Sequence, residues 1–156
     1  TGFENALAAQ VALTAFIPML MDTGGNSGSQ ACVSIIRGIS LNEIEFRDLG
    51  RVVWKEIRVS VLCGVCLAVA CFAKIIVVDM LLLKSESVTY LVAFVVCATM
   101  AVTVCLAKIV GSTLPLLAKK LGFDPAVMAS PIITTIVDFL SLLVYFAFAT
   151  AILGIG

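Results

Sequence analysis

The sequence predicts an all-α integral membrane protein, a polytopic bundle of helices. Of its 156 residues, 62% are hydrophobic and only 13% are charged, and the mean hydropathy is +1.18. Soluble proteins are about 45–50% apolar and about 25% charged. The apolar runs are long enough for spans, each of which needs about 20 residues to cross the hydrocarbon. Because lipid cannot pair with backbone polar groups, and no alternating strand pattern is present, helices are the expected spanning structure.

Four apolar segments organise the chain, which we expect to form one transmembrane domain over residues 1–156. The predicted spans are residues 5–36, 59–78, 88–117 and 126–153. A polar stretch from Asp22 to Gln30 interrupts the first of them. Pro18 removes a backbone donor, and several glycines follow it and permit non-helical backbone. We therefore expect the first span to be broken at Gly24-Gly25, as in many transporters.

Basic residues in the connections predict the orientation. Seven basic residues lie in or beside the first and third connections, against two in or beside the second. Under the positive-inside rule, loops 37–58 and 118–125 then face the cytoplasm of a cell (plasma) membrane, and both termini face outward. The polar segment 44–58 is expected to form a surface helix that feeds the second span. An outward N-terminus without an export signal also predicts a further span upstream of Thr1.

Asp138 is the strongest candidate for function, because it lies in the middle of the fourth predicted span, about eleven residues in from either water boundary. A carboxylate in the centre of a bilayer costs about 2.5–3.5 kcal/mol on insertion scales, and such groups usually face a bundle interior or a water-filled path. Helical spacing predicts one polar face, made of Ser130, Thr134, Asp138, Ser141 and Tyr145. Interhelical hydrogen bonds could explain the hydroxyls. They do not explain a central acid.

Two other ionisable groups lie in predicted spans. Asp22 could add negative charge to the same pathway, or it could have a surface or hydrogen-bonding role. Lys108 could pair with an acid, or its side chain could extend to the inner interface. A cation in the ion path would repel cationic cargo, so Lys108 is not assigned to it.

Several function classes are excluded by what the sequence lacks. The net charge is zero and there is no histidine, so neither nucleic-acid binding nor a zinc site completed from Cys63 and Cys66 is indicated. Gly28-Ser-Gln30 does not match a phosphate loop, and Gly24 and Val33 fail the EF-hand pattern. No nucleophile–base pair or cofactor motif is present. We therefore do not expect an enzyme.

Five motifs, in order along nearly the whole chain, resemble the MgtE family of magnesium channels. They are Pro18-Met-Leu-Met-Asp-Thr-Gly-Gly-Asn-Ser-Gly-Ser-Gln30, Arg51-Val-Val-Trp-Lys-Glu56, Gly111-Ser-Thr-Leu-Pro115, Gly122-Phe-Asp-Pro125 and Thr134-Thr-Ile-Val-Asp138. The pair Ile36-Arg37 also agrees. The resemblance implies a homodimer with five spans per subunit and a pore along its two-fold axis. It also implies an upstream first span and upstream cytosolic regulatory domains, including paired CBS domains that sense magnesium, none of which are in these residues.

The resemblance also assigns roles to individual residues. The central acid of the family corresponds to Asp138, and a backbone carbonyl used at the same site corresponds to Thr134. Family pore positions fall at Asp22, Gly25 and Ser29. Here the sequence departs from family members that have glycine in place of Asp22 and asparagine in place of Ser29, so selectivity or ion occupancy is expected to differ.

Together these observations predict a channel that conducts hydrated Mg²⁺ down its electrochemical gradient into the cytosol. Mg²⁺ prefers oxygen ligands and is usually held by one or two carboxylates plus waters. The predicted metal-binding residues are Asp138, Thr134 and Asp22, and Mn²⁺, Co²⁺ or Ca²⁺ could be carried in vitro. The predicted pore-lining residues are Pro18, Gly24, Gly25, Asn26, Ser29, Ser130, Thr135 and Ser141. The alternatives are an exchanger coupled to Na⁺ or H⁺ and a non-transporting membrane assembly subunit.

Overall fold

The computed structural model describes residues 2–85, 87–128 and 131–154, and in these residues it is helical with no strand. Its elements are α1 (Gly2–Ser40), a 3-10 turn (Phe46–Asp48), α2 (Leu49–Lys74), a π-helical continuation of α2 (Ile75–Leu82), α3 (Tyr90–Lys120), a 3-10 turn (Pro125–Met128) and α4 (Pro131–Leu153). The predicted all-α fold class is confirmed. Among the described residues, three segments are long and apolar enough to cross a membrane: Phe46–Leu82, Tyr90–Lys120 and Pro131–Leu153. A fourth span, formed by α1, stays a prediction.

Local capping explains where α1 and α3 end. After α3, Gly122 has φ +82°, and the amide of Phe123 donates to the carbonyl of Ala118 at 2.9 Å. After α1, Asn42 has φ +55°, and the amide of Glu43 donates to the carbonyl of Gly38 at 2.9 Å. Both ends are Schellman motifs, in which glycine or asparagine takes the left-handed position.

The central helix of the bundle is α3, which packs against α1, α2 and α4. The helices α1 and α4 also pack against each other, so that α1, α3 and α4 form a three-helix core. In contrast, α2 packs mainly along the outer side of α3, and most of its apolar side chains are exposed. The candidate functional residues Asp22 and Asp138 lie where α1 meets α4.

The predicted break in the first span is wrong, because α1 is one continuous α-helix that passes through Pro18 and through Gly24, Gly25 and Gly28. The glycines serve close helix packing instead. A Cβ atom on Gly24 would lie 2.7 Å from the Cγ2 atom of Thr103 in α3 and 2.9 Å from the Cγ1 atom of Val137 in α4. A Cβ atom on Gly111 would overlap the carbonyl oxygen of Gly28. Small residues at such crossings let helix backbones approach closely in a membrane.

The connection before α2 also differs from the expected surface helix. Only Phe46–Asp48 forms a separate turn, and α2 begins at Leu49 and runs without interruption into the predicted second span. At its far end the helix continues to Leu82, four residues beyond the predicted end at 78. Lys74 and Asp79 form an ion pair there with a nitrogen–oxygen distance of 2.8 Å.

Lys108 takes the first of its two predicted roles, since it pairs with an acid. Its Nζ atom lies 3.5 Å from the Oε2 atom of Glu56, and each of these two side chains is only 12% exposed. The pair joins α2 to α3. The positive charge of Lys108 is therefore balanced locally, away from the crossing of α1 and α4.

Replacing Gly111 by alanine is expected to destabilise the bundle by about 1–3 kcal/mol, because the new methyl group would overlap the backbone of Gly28. Gly50→Ala is the matched control, since a Cβ atom there meets no other atom within 4 Å. That change should be neutral or stabilising by about 0.5–1 kcal/mol, as alanine is the better helix former. Thermal unfolding of the two variants in detergent compares them. Equal stability of both would contradict the close contact of α1 and α3.

Candidate functional site

A cavity of about 160 Å³ lies between α1 and α4 and opens at the surface of the chain. It is lined by Met21, Asp22, Gly25, Asn26, Thr134 and Asp138. The residues from α1 are spaced by three and four positions, and the two residues from α4 by four. Such spacing places side chains on one face of a helix, so each helix contributes one wall of the cavity.

Gly25 creates the space in front of the Asp138 carboxylate. A Cβ atom on Gly25 would lie 3.3 Å from the Cγ2 atom of Thr134 and 4.0 Å from the Oδ1 atom of Asp138. Any side chain at position 25 would occupy the volume between the two helices. The backbone of α1 therefore lies directly opposite the carboxylate, with room for a small hydrated group.

The charges around the cavity are negative. Asp22 contributes a carboxylate from α1 and Asp138 contributes one from α4, and no lysine or arginine among the described residues lines the cavity. Within the part of the chain that the structure describes, the ion pairs of basic residues involve Glu45, Asp79 and Glu56 instead. Two carboxylates in an open cavity without a cationic side chain form a suitable binding place for a cation.

The neighbouring hydroxyl groups are held by the first turn of α4. Thr134 and Thr135 both donate to the carbonyl of Pro131, at oxygen–oxygen distances of 3.1 and 2.8 Å. Thr134 lines the cavity, whereas Thr135 is exposed and does not. A hydroxyl is a polar group, so Thr134 adds polarity to the wall of the cavity that α4 forms.

Ser141 and Tyr145 do not share the cavity, although their spacing predicted one polar face with Asp138. Ser141 is 2% exposed and donates to the carbonyl of Val137 at 2.6 Å. Tyr145 is 1% exposed and donates to the carbonyl of Leu13 at 2.8 Å. The structure therefore places both side chains in the interior, against α1, and Ser141 is not among the residues that line this cavity.

The other predicted pore-lining residues take several positions. Pro18 is exposed one turn before Asp22, Ser29 is partly buried one turn after Gly25, and Gly24 is buried in the crossing with α3. Ser130 lies outside the described residues. Met21 is the cavity residue that the sequence analysis missed, and its spacing of four positions from Gly25 was the available signal.

Asp138 lies closer to one end of its helix than the sequence predicted. The α-helix begins at Pro131, because residues 125–128 form a 3-10 turn rather than a part of α4. Proline at the first helical position is favourable, since its missing amide proton would be unpaired there. Asp138 is therefore seven residues, about two turns, from the start of α4.

The cavity in one chain holds too few ligands for a dehydrated metal ion. The described residues contain no group of three or more histidine, cysteine, aspartate or glutamate side chains arranged to hold a metal. All six cysteines are free, and none lines the cavity. One or two carboxylates are nevertheless sufficient for a cation that keeps most of its waters.

Comparison with known proteins identifies the family. The MgtE family, described as divalent cation transporter, matches residues 17–148. The chain belongs to the MgtE family. The resemblance derived from the five motifs is thereby confirmed. With three helices apolar enough to span a membrane, the chain is a multi-pass membrane protein of a transporter family, not of an enzyme family.

Three relatives bear the name magnesium transporter MgtE. The chain is 36% identical to the one from Bacillus subtilis over 149 residues, which are 96% of this chain and 31% of that protein. Identity to the one from Thermus thermophilus is 35% over 152 residues, covering 97% and 32% respectively. Identity to the one from Enterococcus faecalis is 30% over 150 residues, covering 96% and 31%. The chain thus spans about a third of the length of these relatives.

Gly25→Ala is expected to fill part of the cavity and lower cation uptake at least about tenfold while leaving unfolding stability within about 1 kcal/mol. The methyl group meets only the Thr134 side chain at 3.3 Å, and the gain in helix propensity offsets this contact. Gly24→Ala should instead destabilise the protein by about 1–3 kcal/mol, because its methyl group overlaps α3 and α4. Uptake and thermal stability are measured on both variants. Normal uptake by a stable Gly25→Ala protein would show that the cavity is not used.

Proposed function

We propose that this chain is the pore of a magnesium channel, in which hydrated Mg²⁺ passes Asp138 on its way down the electrochemical gradient into the cytosol. One observation carries the proposal: Asp138 lines an open, acidic cavity between α1 and α4. The membrane-embedded lysine, Lys108, is engaged with Glu56 and does not neutralise it. Membership of a divalent cation transporter family, and relatives named magnesium transporter, support the same conclusion.

The chemistry of the cavity suits magnesium. The side chains that carry oxygen among its lining residues are those of Asp22, Asn26, Thr134 and Asp138. Mg²⁺ is small, prefers octahedral oxygen coordination and gives up its waters reluctantly, so it is commonly bound by one or two carboxylates plus waters. Softer transition metals prefer sulfur or imidazole, and the chain contains no histidine. Mn²⁺, Co²⁺ and Ca²⁺ also accept oxygen ligands and are expected to compete with Mg²⁺.

A second copy of the chain would complete the path. The cavity opens at the surface of the chain between α1 and α4, and a two-fold axis beside these helices would bring two Asp138 carboxylates to face each other. Two like charges at short distance repel when the path is empty. A divalent ion between them removes this repulsion, and the remaining oxygens of the cavity hold its waters. Homodimer formation is therefore part of the proposal.

The charges at one end of the bundle support the proposed orientation in the membrane, and the membrane potential supports inward transport. The Nζ atom of Lys120 lies 4.0 Å from the centre of the Phe46 ring, so the first and third connections meet at the same end. These two connections carry most of the basic residues, and we assign this end to the cytosol of a plasma membrane, with both ends of the chain outward. A divalent ion moving inward gains about 4.6 kcal/mol per 100 mV, so no coupled energy source is required. An upstream first span and cytosolic regulatory domains belong to the same proposal.

Asp138→Asn is expected to reduce magnesium uptake at least about a hundredfold, because the substitution removes both facing charges of the dimer while preserving size. Asp138→Glu, which keeps the charge but shifts it outward, should retain part of the uptake. The measurement is growth and Mg²⁺ uptake in cells without other magnesium importers, which express the full-length protein. Asp124→Asn is the matched control, since Asp124 is an exposed acid whose Oδ1 atom accepts from the amide of Ala126 at 2.9 Å, and asparagine keeps that acceptor.

Full uptake by Asp138→Asn would remove Asp138 from the mechanism. A channel and an exchanger are distinguished by currents across a bilayer under a pure magnesium gradient, with neither a Na⁺ nor a H⁺ gradient. The channel predicts currents that reverse at the Mg²⁺ equilibrium potential. Transport that requires a counter-ion gradient would favour the exchanger instead.

A further inference from the structure

We propose that a second cavity of the chain binds the head group of a zwitterionic aminophospholipid, which carries one phosphate and one primary ammonium group. This cavity lies between the last turns of α1, the connection of residues 41–48 and the first turns of α2. The inference concerns a lipid site outside the ion path and does not depend on the proposed function. Charges of both signs around one cavity, without a partner in the described chain, carry it.

The cavity is preformed and has an apolar floor. Its volume is about 230 Å³, and a cavity of about 150 Å³ can already hold a benzene molecule. Ile35 and Val52, which are 5% and 8% exposed, line it and pack in one apolar cluster together with Ile44. The amides of Glu43 and Ile44 both donate to the carbonyl of Gly38, at 2.9 and 3.2 Å, and fix the connection on α1. The floor therefore offers apolar contact to the glycerol end of a lipid.

Five charged side chains line the cavity, and two of them already have partners within the chain. The carboxylate of Asp48 accepts a hydrogen bond from the amide of Glu45 at 3.0 Å. The carboxylate of Glu56 lies 3.5 Å from the Nζ atom of Lys108, in the ion pair described above. The charged groups that are left for a ligand are those of Arg51, Lys55 and Glu43.

These three groups match a head group that carries both signs of charge. Arg51 and Lys55 lie four residues apart on one face of α2, whereas Glu43 belongs to the connection. In the described parts of the chain, none of the three enters an ion pair, although opposite charges line the same cavity. A planar guanidinium binds phosphate through two parallel hydrogen bonds, and a carboxylate accepts hydrogen bonds from an ammonium group. One aminophospholipid therefore provides a partner for every charge that the chain leaves without one.

The acid in the cavity distinguishes this ligand from other phospholipids. An anionic lipid such as phosphatidylglycerol offers a phosphate to Arg51 and Lys55 but brings a negative charge towards Glu43, with nothing to neutralise it. Phosphatidylcholine carries a positive charge, but its three methyl groups leave no N–H donor for the carboxylate. A primary ammonium has three such donors. The charge pattern therefore favours phosphatidylethanolamine over both of these lipids.

The position of the cavity along the bundle suits a lipid head group. Its lining residues belong to the region where the first predicted span ends and before the second predicted span begins at residue 59. Trp54 lies in the same turns of α2 as Arg51 and Lys55, and its side chain is 61% exposed. Tryptophan is enriched at the interface between membrane and water, and basic pockets at helix ends bind lipid head groups. The cavity is therefore at the level where the phosphate groups of the bilayer lie.

The test uses the full-length protein, purified in detergent, and measures bound lipid by native mass spectrometry. The probes are phosphatidylethanolamine, phosphatidylcholine and phosphatidylglycerol with identical acyl chains. We expect phosphatidylethanolamine to bind at least about fivefold more tightly than the other two lipids. Glu43→Gln should abolish this preference, and Arg51→Gln should weaken the binding of all three lipids. Glu45→Gln and Arg47→Gln are the matched controls, because these neighbours pair with each other at the surface and do not line the cavity.

Equal binding of the three lipids, or tighter binding of phosphatidylglycerol, would overturn the inference, since the carboxylate of Glu43 would then have no role in recognition. A preference for phosphatidylethanolamine that persists in both Glu43→Gln and Arg51→Gln would also overturn it, because the lipid would then bind elsewhere. Glycerophosphoethanolamine, the same head group without acyl chains, tests for a soluble ligand. We expect it not to displace the lipid at equal concentration, and full displacement would contradict a lipid site. None of these results depends on cation uptake, which tests the proposed function separately.

Discussion

The close approach of α1 to α3 and α4 is the constraint on which the site depends. In a bilayer, apolar surface gains little by leaving lipid for another helix, so association depends on tight packing and polar contacts. Gly24 and Gly28 remove the side chains that would keep α1 away, and Gly111 allows the backbone of α3 to meet that of α1. This packing fixes the rotation of α1 about its axis. Asp22 and Gly25 face α4 as a direct consequence.

The row of buried residues along α4 explains why some polar residues of this helix line the cavity and others do not. The buried positions of this helix recur every four residues: Ile133, Val137, Ser141, Tyr145 and Ala149. Since four residues exceed one helical turn by about 40°, such a row drifts around the helix as it crosses α1. Thr134 and Asp138 lie beside the row where it begins, at the rim of the contact. Ser141 and Tyr145 lie within the row and are covered by α1.

The sequence was sufficient for the helices and for the residues that meet in the cavity except Met21, because hydropathy and the cost of an isolated acid are local properties. It could not decide what the glycines of α1 do. Glycine both permits a break and permits close packing, and only the position of the neighbouring helices distinguishes these uses. The same holds for Ser141. Its spacing from Asp138 placed both residues on one side of the fourth helix, but it could not show that the Ser141 side chain is covered by α1. The partner of Lys108 was beyond sequence reasoning, since Glu56 is 52 residues away.

The arrangement of charges within the bundle follows from the same packing. The formal net charge of the chain is zero, yet this balance is not uniform in space. Lys108 is neutralised by Glu56 at the contact of α2 with α3, while Asp22 and Asp138 stay together at the contact of α1 with α4. Because the partly buried Lys108 pairs with Glu56 and does not line the cavity, the two carboxylates keep the local potential of the cavity negative. A protein that must attract a divalent cation at membrane depth needs this separation, because a lysine within reach of Asp138 would occupy the place of the ion.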